Sequence, residues 1–198
     1  ENEAEKFNFT FSQDISNKLL NDVNKAYGTK TNEVLLTALG LAAGKLADGT
    51  VGIMVDSHGR TELHKPIAIE RTVGWFTSGY PVVINNNTDI AEELINVKET
   101  MRRIPNNGIE YLLLNNRFHK NTDIIFNFYK NNIANENREN KLIDFNGVRA
   151  VFPGKITVTC FILDDALSID VSVPKCNHKQ GISEKLGSEF KNKIEELV

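Results

Sequence analysis

The stretch VDSHGRTELHKPIAIERTVGWFTSGYP, residues 55–81, joins two apolar runs and carries most of the chain's unusual chemistry. Upstream, TVGIMV has the continuous apolar character of an interior strand, so Asp56 is expected at the tip of a buried β-segment. Downstream, YPVVIN reads as a second strand, with Asn85-Asn86-Asn87 as the turn that leaves it. Between them, Asp56, His58 and Arg60 place an acid, an imidazole and a guanidinium within five positions, and Trp75, Phe76, Thr77 and Tyr80 form an aromatic patch. A carboxyl at the end of a buried strand loses hydration, which lifts its pKa toward the range where it can both take and give a proton. His58 and Arg60 are expected to hold it and to pull that pKa back down. These residue types fit either half of a proton-transfer site or a strand-end ion pair that fixes a turn.

Outward from this cluster, the chain alternates helices and strands. FNFTFS reads as a strand. Ser12 caps a helix over residues 13–27 that Gly28 ends, with Ile15, Leu19, Leu20 and Val23 on one face. Thr31 or Asn32 is expected to cap EVLLTALGLAAGKLA, which is apolar nearly all round and therefore predicted to be buried. Thr88 is the expected cap of TDIAEELINVKETMRRI, with acids in its first turn and Arg102-Arg103 in its last; Pro105 to Gly108 stops it. IEYLLLNNRF reads as a short helix or loop, DIIFNFY as a strand and NNIANENREN as a polar loop. KITVTCFIL and LSIDVSV pair as a hairpin through Asp164-Asp165, and the closing helix carries Ile182, Leu186, Phe190, Ile194 and Leu197 on one side. The pattern predicts an α/β fold, a mixed sheet packed with helices in two layers, over one domain spanning residues 1–198.

Composition narrows the functional classes. A chain of 198 residues with 40% apolar and 25% charged content is expected to build its own core, and a net charge of −3 with scattered basic residues argues against a nucleic-acid partner. The two cysteines, Cys160 and Cys176, form neither a metal spacing nor a disulfide framework, and His58, His64, His119 and His178 show no metal-ligand pattern. Cys160 is expected to be a small buried hydrophobe. No apolar run is long enough to cross a bilayer, so no membrane role and a reducing, cytoplasmic setting are expected. Gly40 to Lys45 is one residue short of a phosphate loop and has Leu46 where a hydroxyl is needed.

The run Arg71-Thr72-Val73-Gly74-Trp75-Phe76-Thr77, followed by Tyr80-Pro81, resembles the signature of epimerization domains of nonribosomal peptide synthetases. These belong to the condensation-domain superfamily, with a chloramphenicol-acetyltransferase-like fold. EVLLTALG resembles that family's Asp-x-Leu-Leu-x-Ala-x-Gly, with Glu33 in the acid's place. DSHGR falls where the family has Glu-Gly-His-Gly-Arg. PNNGIEY resembles Pro-x-x-Gly-x-Gly-Tyr, and FNFYK resembles Phe-Asn-Tyr-Leu-Gly. The motifs occur in the family's order.

The resemblance implies a two-lobed domain with its site between the lobes. This chain looks like the C-terminal lobe, because the His-His-x-x-x-Asp-Gly motif of the N-terminal lobe does not occur in it. It further implies a carrier-protein partner presenting an aminoacyl or peptidyl thioester on 4'-phosphopantetheine, with no cofactor bound directly. By resemblance, Asp56 stands for the glutamate that acts as one acid/base, supported by His58 and Arg60. Trp75, Thr77, Ser78, Tyr80, Tyr111 and Asn127 are candidates for the substrate and pantetheine channel; core packing or strand-end backbone bonding remains open for each, and core packing is favoured for Phe76. Arg102-Arg103 is read first as a helix C-terminus and second as a carrier contact.

The chain departs from the pattern at Asp56, one methylene short of glutamate, at Ser57 for the motif glycine, and at Phe128 for the motif tyrosine. Glu110 and Leu112 replace the glycines beside Tyr111. An isolated lobe is expected to fold and to be inactive. Two other readings stay open: a condensation-domain lobe, against which Gly-Trp-Phe-Thr speaks because condensation domains usually have Gly-x-Phe-x-Asn-Thr there, and a non-catalytic scaffold for carrier proteins.

Overall fold

The computed structural model describes residues 4–47, 49–60, 69, 71–86, 89–114, 122–133, 154–175 and 180–198. His64, His119, His178, Cys176, Asn87, Thr88 and most of the polar loop expected from residue 131 lie outside them. A six-stranded mixed sheet has the order β1-β6-β5-β4-β2-β3, built from β1 (Ala4–Thr10), β2 (Val51–Ser57), β3 (Ser78–Ile84), β4 (Ile124–Ile133), β5 (Ile156–Leu163) and β6 (Ala166–Pro174). The two central pairings, β2 with β4 and β4 with β5, are parallel; the others are antiparallel.

One face of the sheet is the core. Val51, Ile53 and Val55 of β2 join Tyr80, Val82 and Ile84 of β3 and the alternate residues Ile156, Val158, Cys160 and Ile162 of β5. Helices α3 (Thr31–Ala47), α4 (Ile90–Arg103) and α6 (Ile182–Leu197) supply the second layer. Every residue of α3 from Glu33 to Gly44 is buried, as its all-round apolar sequence predicts. On α6, Leu186, Phe190 and Ile194 enter the core with Ile182 and Leu197 at its margin, which is the expected stripe. Cys160 is fully buried, as expected of a small hydrophobe.

The N-terminal helical region runs as α1 (Gln13–Asn17), a π-helical stretch (Lys18–Val23) and α2 (Asn24–Tyr27). Ser12 caps it by accepting from the Ile15 N–H at 3.3 Å, and Gly28 ends it in the left-handed conformation. Two expected caps differ from the structure. Thr31 and Asn32 lie inside α3, and the orphan donor is met instead by Glu33, whose carboxylate accepts from the Lys30 N–H at 2.7 Å. At α4 the cap is Asp89, which accepts from the Ala91 N–H at 3.2 Å. A turn at Pro105–Gly108 stops α4, and α5 (Tyr111–Leu114) follows. Asp164 and Asp165 both adopt positive φ, 49° and 61°, which closes the β5–β6 hairpin tightly where the sequence placed it. Lys98 and Arg102 donate to the Tyr27 and Gly28 carbonyls at 2.8 and 2.7 Å, so Arg102 ties α4 to the end of α2.

Candidate active site

The sheet's other face is polar at its centre. Register places Asp56 opposite Gly79, Asn127 opposite Thr159, Thr159 opposite Asp170 and Asp170 opposite Asn8. Since paired residues share a face, these residues form one transverse row across all six strands. Asp56, Asn127, Thr159 and Asp170 of this row line a broad cleft of about 1650 Å³, which His58, Trp75, Thr77 and Tyr129 also border.

Asp56 is the most perturbed carboxyl of the row. Burial raises its pKa from 3.8 to about 6, and the Asn127 side chain, which hydrogen-bonds the carboxyl, pulls it back only partly. Its Oδ1 is buried and has no hydrogen-bond partner, an arrangement that carries a desolvation cost. Near neutrality this group sits close to the balance between acid and base. The downward pull expected from His58 and Arg60 is absent from the groups acting on it; Asn127 takes that part.

His58 and Arg60 instead build the loop beside the site. The Nδ1 of His58 accepts from the Arg60 N–H at 3.0 Å. The Arg60 guanidinium donates to the carbonyls of Ile69 at 2.6 Å and Thr72 at 2.9 Å, and lies 4.1 Å from the Phe76 ring centroid. Gly59 between them has φ +62°, and a Cβ there would come within 1.5 Å of the Phe76 carbonyl oxygen. The Gly-Arg pair thus straps Ile69, Thr72 and Phe76 against the end of β2. Phe76 is half-buried under that guanidinium and is not a core residue, contrary to the packing expected of it.

The remaining candidates divide. Asn127 contacts Asp56, and Trp75 and Thr77 border the cleft, with Trp75 86% exposed. Tyr80 pairs with Val55, so its ring lies on the helix-covered face, buried in the core against Gly108, and reaches the cleft only from that side. Ser78 pairs with Ser57 one residue out of step with Asp56, buried and with its Oγ unpartnered. Tyr111 packs against the core and is not among the residues lining the cleft. Glu33, which stands for an acid in the family's helix motif, is 2% exposed and serves as the helix cap described above. Among the described residues no group of acids, histidines and cysteines is arranged to hold a metal. No helix among them is long and apolar enough to cross a membrane.

One residue escaped the sequence reading. Tyr129 stands two positions after Asn127 on β4, hence on the same face, and the Asp56 carboxylate contributes to raising its pKa. The alternation of Asn127, Phe128 and Tyr129 was the available signal: it puts Tyr129 on the sheet face of Asn127, while Phe128, which also borders the cleft, packs against the core on the other face.

A family model described as Condensation domain matches residues 1–197. Gramicidin S synthase 1 of Brevibacillus brevis is 50% identical over 97 residues, which is 48% of this chain and 9% of that protein. Bacitracin synthase 1 of Bacillus licheniformis is 30% identical over 203 residues, covering 93% of this chain and 4% of that protein. Among solved structures, the epimerization domain from the third module of tyrocidine synthetase B superposes with a TM-score of 0.82 at 26% identity, over 98% of this chain and 47% of that one. The first condensation domain of the CDA synthetase gives a TM-score of 0.72 at 13% identity, which shows a shared fold alone. The chain therefore spans about half of the solved domains it matches and a small fraction of the synthetases.

Proposed function

The chain belongs to the condensation-domain family, and we propose that within it the chain is the C-terminal lobe of an epimerization domain of a nonribosomal peptide synthetase. Its substrate is an aminoacyl or peptidyl thioester carried on the 4'-phosphopantetheine of a carrier protein, and the reaction interconverts the L and D configurations at Cα. The observation that carries this reading is Asp56: a half-buried carboxyl with its pKa raised to about 6, at a strand end, in a polar cleft. Such a group can take the Cα proton of a thioester and return it near neutral pH. A group on the opposite face of the substrate must exchange the other proton, and a second lobe closing over the cleft is its expected source.

Trp75 and Thr77 border the same cleft and suit the pantetheine approach. The alternative, peptide-bond formation between two carrier-bound groups, is favoured by the name of the matching family model. A single experiment separates the two. The polypeptide containing both lobes, given a carrier loaded with an L-aminoacyl thioester in deuterated water, should place deuterium at Cα, and Asp56→Ala should abolish that. Peptide formation without Cα exchange would replace the epimerase reading with condensation, and carrier binding without either reaction would leave a scaffold. The 198 residues alone should show no racemisation.

A further inference from the structure

We propose that Tyr129 is a second catalytic residue of this cleft, donating its phenolic O–H to the thioester oxygen on which negative charge develops while Asp56 removes the Cα proton. This rests on the epimerase reading above and assigns the residue that stabilises the charge.

Position comes first. Tyr129 follows Asn127 at the two-residue spacing that keeps side chains on one face of a strand, and both border the cleft with Asp56. At 39% exposure the ring is accessible to a substrate in the cleft. The register between β4 and β5 shifts just after it, between Tyr129 and Asn132, and such bulges redirect a strand's side chains. The neighbouring Phe128 lies on the opposite, helix-covered face of the sheet, packs against the core and borders the cleft from that side, so the phenol on the Asp56 face is that of Tyr129.

Chemistry agrees with position. Burial and the Asp56 carboxylate both raise the Tyr129 pKa, so the phenol keeps its proton at neutral pH and is a donor where Asp56 is an acceptor. In the proton-removal step the Cα–H bond breaks, the proton passes to the Asp56 carboxylate, and the bonding pair moves into the enolate, leaving charge on the thioester oxygen. The Tyr129 O–H hydrogen-bonds that oxygen without transferring its proton. Return of the proton to carbon reverses the electron flow, so no oxidant or cofactor is required. A donor that strengthens only as charge develops lowers the barrier without tightening substrate binding.

The test uses the full two-lobed polypeptide and a carrier protein loaded in turn with L-alanyl, L-phenylalanyl and L-glutamyl thioesters, following deuterium at Cα. Tyr129→Phe should lower kcat by about 10²–10³-fold with KM nearly unchanged, the loss typical of one oxyanion donor. The double variant Tyr129→Phe/Phe128→Tyr, which returns a phenol on the sheet face opposite Asp56, should not recover the rate. Independently of turnover, the ¹³C-labelled Tyr129 phenol in the chain itself should titrate at lower pH in Asp56→Asn than in the parent. An unchanged kcat in Tyr129→Phe, recovery in the double variant, or a Tyr129 titration indifferent to Asp56→Asn would each overturn the assignment. If Tyr129→Phe is silent while Asp56→Asn abolishes exchange, the epimerase reading stands and Tyr129 falls alone. If Asp56→Asn exchanges at the parent rate, or the parent does not exchange at all, both fall together.

Discussion

Asp56 on β2 lies directly across from Gly79 on β3, and a Cβ at position 79 would sit 3.2 Å from the Asp56 Oδ1. The absence of a side chain at position 79 therefore leaves room beside that oxygen. Gly79→Ala would press a methyl group against an oxygen that already lacks a partner. Added desolvation favours the protonated form, so the Asp56 titration midpoint, read by ¹³C NMR of the carboxyl, should move above about 6. A midpoint that stays put or falls would show that the oxygen does not face Gly79.

Asp56 also sets a pH dependence of stability with a definite sign. Its folded-state pKa is raised above the ordinary carboxylate value, from 3.8 to about 6, so the folded chain binds this proton more tightly than the unfolded chain does. The contribution of Asp56 is most favourable below pH 3.8, declines as the pH rises through the window up to about 6, and is constant above it. Asp56→Asn removes the ionisation and should stabilise the chain at pH 7.5 by about 2 kcal/mol, discounted for partial solvent contact. That corresponds to a rise in Tm of roughly 4–8 °C. The gain should vanish in melts at pH 4 and below; a variant less stable than the parent at pH 7.5 would contradict the buried-carboxylate picture.

Arg60 holds two carbonyls and one aromatic ring at once. Lysine keeps the charge but has neither the planar fork nor the stacking surface. Arg60→Lys should therefore loosen the strap while sparing the core, raising amide hydrogen exchange at residues 71–77 by about tenfold, the equivalent of one lost charge-assisted hydrogen bond. Tm should change little. Exchange in that segment equal to the parent's would mean the strap does not depend on the guanidinium.

The single tryptophan, Trp75, is 86% exposed on this loop and serves as a reporter. In this chain alone its emission should be that of an indole in water, readily quenched by iodide. Adding the proposed N-terminal lobe should shift the emission to the blue and protect it. Emission unchanged by that lobe would place Trp75 away from the lobe contact.

Much of the architecture was legible in residue order, because its causes are local. The run from Val34 to Ala43, with Thr37 its one polar residue, specified a buried helix, the spacing of Leu186, Phe190 and Ile194 an amphipathic one, and Asp164-Asp165 a tight hairpin. Helix caps were legible only to within a residue or two. Glu33 displaced Thr31 and Asn32 because a longer carboxylate can reach back to the Lys30 N–H, an option that local propensity does not rank. Asp56 was legible as a strand-end acid, and its raised pKa follows from that placement.

What residue order determined by itself, then, was the set of elements and the carboxyl at the tip of β2, since periodicity and turn chemistry act between near neighbours in the chain. Tertiary structure alone decided which groups meet that carboxyl. Asn127 and Tyr129 approach it because β4 crosses in to lie parallel to β2, Gly79 because β3 pairs back antiparallel, and Tyr80 is turned to the opposite face by a one-residue step in the same pairing. Register between strands far apart in sequence is fixed by the shared hydrophobic face they must bury together, and that constraint is written across the whole sheet, not in any one segment.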